Sequence, residues 1–132
     1  MKVRLLLAES ATAHPDGTVS MLRAGINRLV NAKEPIPLVA ALVARVEGEM
    51  SEGGNAHKFT LRLMDEDGKD VIPRLEGQFQ LPPDGGTVNV VLNLQAAFPR
   101  HGRYSFYMNI DGVQHEQWAV DVTPNPPRGR VP

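Results

Sequence analysis

Arg100-His101-Gly102-Arg103 is the densest basic cluster ahead of the C-terminal tail, and it sets the first chemical question. Guanidinium groups hold phosphate or carboxylate through paired N–H···O bonds. Exposed backbone N–H groups at the same turn can face the same anion. Arg100, His101 and Arg103 are therefore the candidate ligand-binding residues, with a small anion as the ligand. The competing reading is a solvated loop whose charges serve only solubility.

Other chemistry-bearing residues fall into patterns that argue against catalysis or metal binding. Asp65-Glu66-Asp67-Gly68-Lys69-Asp70 pools carboxylates, as calcium loops do. Gly68 comes too early for an EF-hand, and Lys69 sets a positive charge where the cation would sit. A plain hairpin turn is the expectation there. His14, His57, His101 and His115 form no H-x-H or H-E-x-x-H pattern. His115 and Glu116, adjacent on a strand, point to opposite faces. Ser10, Ser20, Ser51 and Ser105 lack the G-x-S-x-G elbow, and no phosphate loop or dinucleotide motif occurs. The reading is therefore non-enzymatic, with no catalytic residue, no metal and no cofactor.

The tail Pro124-Asn125-Pro126-Pro127-Arg128-Gly129-Arg130-Val131-Pro132 offers a different kind of site. Proline-rich segments favour an extended polyproline geometry that docks at low entropic cost. Pro126, Pro127, Arg128 and Arg130 are the candidate partner-binding residues; the plainer alternative is a flexible terminus. The expected division is a folded domain over residues 1–123 and a tail over 124–132.

Composition narrows the partners. The chain has 132 residues, a net charge of −1 and no cysteine. That length suits one domain with a core that needs no disulfide. Near-neutral charge gives no field to attract nucleic acid or anionic lipid. Aromatics are too few for a base- or sugar-stacking platform. The apolar start Leu5–Ala8 is cut by Glu9, shorter than a signal peptide requires. No stretch approaches the roughly 20 apolar residues of a membrane helix. A cytoplasmic protein, binding a protein partner or itself, is the expectation.

The elements that must position these residues read as strands. Stretches of alternating polarity, punctuated by Gly, Pro and Asp, run the length of the chain. Strands are expected at Lys2–Glu9, Thr18–Ile26 and Leu38–Glu47, the last an unbroken apolar run flanked by Pro37 and Gly48. Met50–Asn55 reads as a flexible turn. Phe59, Leu61 and Leu63 alternate with polar residues, as do Leu75, Phe79 and Leu81, then Val88, Val90, Leu92 and Leu94. Tyr104, Phe106, Met108 and Ile110 form a full apolar face. Asp111-Gly112 marks a tight hairpin before Trp118, Val120 and Val122. Val39, Ala41 and Val43 leave an apolar second face on their strand, which points to self-association.

The fold class that follows is all-β: an antiparallel two-sheet sandwich of seven to eight strands, immunoglobulin-like or jelly-roll-like. Gly102-x-Tyr104-x-Phe106 sharpens it, because immunoglobulin-like sandwiches carry a tyrosine at the start of a late strand that bonds back across a corner. Several segments also resemble an uncharacterised family of small bacterial and phage β-sandwich proteins of unknown function. They are Asp16–Gly25, Leu42–Glu47, Leu63–Gly68, Glu76–Phe79 and Gly102–Phe106. The resemblance implies a sandwich and supplies no catalytic residue.

Overall fold

A computed structural model describes residues 1–125 of the chain. Among the described residues, nine strands make two sheets. They are β1 (Lys2–Ala13), β2 (Val19–Ala24), β3 (Arg28–Val30), β4 (Ile36–Gly48) and β5 (Ala56–Met64), followed by β6 (Leu75–Gln80), β7 (Gly86–Phe98), β8 (Gly102–Ile110) and β9 (Val113–Thr123). One sheet has the order β2-β1-β4-β7 and the other β3-β9-β8-β5-β6. The second curls into a half-barrel. The count exceeds the expected seven to eight because β3 is a three-residue strand with no alternation to betray it. β3 also pairs with β9 in parallel, so the sheets are mostly rather than wholly antiparallel.

The apolar run Leu38–Ala44 is strand, as its β-branched residues and flanking Pro37 and Gly48 suggest. β4 lies inside its sheet: it pairs with β1 on one side and with β7 on the other. A strand enclosed on both edges tolerates a continuous apolar run. Its inward residues Leu38, Ala40, Leu42, Ala44 and Val46 share one buried cluster with Phe59, Leu61 and Leu63 of β5 and with Tyr104, Phe106, Met108 and Ile110 of β8. Both sheets therefore contribute to a single core.

The β8–β9 hairpin forms at Asp111-Gly112, where both residues have positive φ. That backbone matches the right-handed twist of the strands it joins, and Gly112 adopts it without a Cβ penalty. Met50–Asn55 is a turn, as expected. It contains a short 3-10 turn at Met50–Glu52, held by a 2.8 Å bond from Glu49 N–H to Glu52 Oε1.

β1 runs past the expected end at Glu9 because it changes partners. Residues Lys2–Ala8 pair with β4, and Ala8–Ala13 pair mainly with β2. The far half of this hairpin lies back over the outer face of its own sheet. At its tip the carbonyl of Gly17 accepts a 2.9 Å bond from the side-chain amide of Asn89 on β7. Thr18, Val19 and Met21 share a cavity of about 570 Å³ with Leu6 and Val43. The expected apolar second face of β4 is thus largely taken. Ala41 and Val43 are buried, and only Val39 stands out in solvent, 74% exposed.

Candidate interaction surfaces

The Arg100–Arg103 segment is the β7–β8 connection, and its local structure is fixed by Tyr104. The buried phenol donates a 2.7 Å bond to the carbonyl of Arg100 while its ring packs on Phe98, 4.5 Å between centroids. This is the corner bond that the Gly102-x-Tyr104 spacing predicts. His101 is turned inward on the protein's own acceptors. Its Nδ1 lies 2.8 Å from Glu34 Oε1, and its Nε2 lies 2.8 Å from the carbonyl of Asn31. Both ring nitrogens are occupied.

Arg103 faces a different neighbour from the expected Arg100. Across β3, β9 and β8, Arg28, Asp121 and Arg103 stand in one row. They line an open cavity of about 360 Å³ with Asn27, Gln117, Trp118 and Ala119. The Asp121 carboxylate between the two guanidinium groups offsets part of their positive field. Trp118 is half-buried, and its indole N–H donates a 2.7 Å bond to the carbonyl of Ile26. Sequence reasoning missed Arg28, since it becomes a neighbour only through the parallel β3–β9 pair.

The other titratable clusters are knit into the fold. His57 is buried against Phe79, with its Nδ1 2.7 Å from Asp111 Oδ2 and its Nε2 3.0 Å from the carbonyl of Glu52. The Asp111 bond, helped by the Glu52 carbonyl, raises the pKa of His57 above its usual value; the same bond, with the Lys58 N–H, holds the Asp111 carboxyl low. Both ring nitrogens are thus engaged with acceptors of the protein itself. In the acidic turn, Asp65 Oδ1 accepts the N–H groups of Asp67 and Lys69, and Asp70 is paired with Arg62 and Arg74. The Arg62 bond leads in lowering the Asp70 pKa. Among the described residues, no group of three or more His, Asp or Glu could hold a metal ion.

The sheet edges differ sharply from one another. β2 is six residues long with Arg23, β3 is three residues long with Arg28, and β6 is six residues long with Glu76. Short length and charge are the usual ways of blunting an edge against unwanted pairing. β7 has neither. It runs 13 residues, Gly86–Phe98, and contains no charged residue and no proline. It pairs with β4 along its whole length without a bulge. Among the described residues, no strand lies on its other side. Its inward Val88, Val90 and Leu92 are only half-buried, whereas Leu94 and Phe98 are buried.

The candidate tail residues Pro126, Pro127, Arg128 and Arg130 lie outside the described residues. Among the described residues, no helix is long and apolar enough to cross a membrane.

Fold and surfaces together define a two-sheet all-β protein with one long, unblunted sheet edge. The chain belongs to a family of unknown function (DUF6941), which it matches over residues 4–123. No curated protein and no solved structure matches it.

Proposed function

We propose that this protein is a non-enzymatic interaction and assembly module that works by strand addition at the β7 edge. The observation that carries the reading is the 13-residue edge with no charge, proline or bulge. An added strand would satisfy the outward N–H and C=O groups, and alternate side chains would give specificity. It would also cover the half-buried Val88, Val90 and Leu92. The same reading takes the fold as a sandwich of the immunoglobulin or jelly-roll kind, supported by the single core between two sheets and by the Tyr104–Arg100 bond. A cytoplasmic setting fits a chain without cysteine.

The test is affinity capture from host lysate with two baits, the wild-type chain and a Val91→Lys/Asn93→Lys variant that charges the edge. Proteins enriched on the first bait and lost on the second support the reading. Equal capture by both baits puts the contact elsewhere on the molecule.

A second reading, small-anion binding, is favoured by the Arg28–Asp121–Arg103 row and the cavity beside it. Here Arg103 is the anion contact, with Arg28 as its partner across the sheet. Inorganic phosphate should raise the melting temperature of the wild type and not that of Arg28→Ala/Arg103→Ala. An equal shift in both proteins excludes these residues.

A further inference from the structure

We infer that the strand added at β7 is β7 of a second copy of this chain, paired antiparallel about a two-fold axis at Leu92. This rests on the strand-addition reading and names its partner. A two-fold axis perpendicular to the sheet makes two copies of one strand antiparallel and keeps their inner faces on the same side. The result is a continuous eight-stranded sheet, twice the observed four.

The sequence of β7 is complementary to itself in that register. With Leu92 opposite Leu92, the inward pairs are Val90 with Leu94 and Val88 with Ala96, apolar against apolar. The outward pairs are Val91 with Asn93 and Asn89 with Gln95. Asn89 already donates through Nδ2 to Gly17, and its Oδ1, with no bond among the described residues, is left to accept from the second copy's Gln95. The strand ends Gly86 and Phe98 meet, so neither chain overhangs an uncovered stretch. No like charges face each other, because the strand has none. Moving the axis by one residue along the strand would leave part of the pairing unmatched at each end. A two-fold contact is also closed, so it consumes the edge without building a fibre.

Cross-strand pairs determine the test, since like charges directly opposite repel and unlike charges attract. In the proposed register position 91 of one chain faces position 93 of the other, twice per dimer. Light scattering after size exclusion, over a concentration series of the full chain, should give a dimer for the wild type. Val91→Lys/Asn93→Lys places lysines opposite each other and should weaken the dimer about tenfold or more. Val91→Lys/Asn93→Glu places each lysine opposite a glutamate and should restore it. Near-UV circular dichroism establishes that both variants are folded, and the comparison between them isolates the pairing from any cost of the shared lysine.

Cysteine placement tests the register in a chain that has none of its own. Leu92→Cys should oxidise to a covalent dimer, since directly opposed Cβ atoms lie about 5 Å apart. Asn89→Cys should not, because its counterpart would be about 20 Å along the strand. A wild type that stays monomeric up to millimolar concentration overturns the self-pairing but leaves strand addition to another protein standing. A dimer whose affinity is unchanged by Val91→Lys/Asn93→Lys puts the dimer contact elsewhere on the molecule and likewise overturns the self-pairing. Cross-linking at Asn89→Cys and not at Leu92→Cys overturns the register.

Discussion

Nδ1 of His57 lies 2.7 Å from Oδ2 of Asp111, and this one bond ties strand β5 to the turn between β8 and β9. The same carboxylate also accepts the Lys58 N–H, while the Asp111 N–H returns to the Lys58 carbonyl. The far ring nitrogen of His57 reaches the carbonyl of Glu52, inside the 3-10 turn. Three separate stretches of chain are thus held by one imidazole, with Phe79 stacked on its face.

Stability should therefore depend on pH on both sides of a plateau. His57 has a raised pKa, so its contribution is complete below the ordinary 6.5 and is lost as pH rises through the folded value. Asp111 has a lowered pKa, so its contribution is present above the ordinary 3.8 and is lost as pH falls through the folded value. Urea midpoints are expected to be higher at about pH 5.5 than at about pH 8.5. His57→Gln should flatten that difference; a wild-type midpoint that climbs towards pH 8.5 would contradict the assignment.

Tyr104→Phe keeps the ring on Phe98 and removes only the hydroxyl that meets Arg100. Deleting one partner of a buried hydrogen bond costs about 1–2 kcal/mol, because the other partner is left unsatisfied. Equilibrium denaturation should show that loss. An unchanged midpoint would mean that water satisfies the Arg100 carbonyl equally well.

The only tryptophan in the chain reports on β3. Trp118→Phe removes the bond to Ile26, whose chain leads directly into the three-residue strand. Hydrogen exchange should accelerate at Arg28–Val30 while the amides of β8 stay protected. Uniform acceleration across both strands would show that the indole supports the whole sheet.

Gly53→Ala should be among the costliest small substitutions in the protein. A Cβ there would meet backbone atoms, with the Pro83 carbonyl oxygen at 2.5 Å and that of Pro82 at 2.6 Å. Backbone cannot swing aside as a flexible side chain can, and overpacking costs about 1–3 kcal/mol. Gly48→Ala would meet the side chain of Leu81, which can give way. The melting temperature should fall further for Gly53→Ala than for Gly48→Ala; the reverse order would refute the backbone clash.

Alternation made β8 legible: Tyr104, Phe106, Met108 and Ile110 are all buried, as their spacing requires. Turn chemistry did the same for Asp111-Gly112. The Tyr104–Arg100 bond was readable because tyrosine corners are local in sequence. Sheet order was not readable in this way. Arg28 joins the row of Arg103 and Asp121 only because a three-residue strand pairs in parallel with β9, and no periodicity accompanies so short a segment. The lack of charge from Gly86 to Phe98 was visible from the start. Its meaning depends on β7 being an edge, and that is a property of the assembled sheet. The expected apolar face of β4 erred for a related reason: the β1–β2 hairpin folds back over Val43, a long-range placement that the residues of β4 do not encode.

The central place of β4 carries a cost during synthesis. Its first neighbour, β1, precedes it, but its second, β7, ends at Phe98. A ribosome adding about 5–20 residues per second needs roughly 3–10 seconds to make the stretch between the end of β4 and the end of β7. Throughout that interval the nascent chain holds a long apolar ribbon with one flank unclaimed, the kind of surface that chaperones bind.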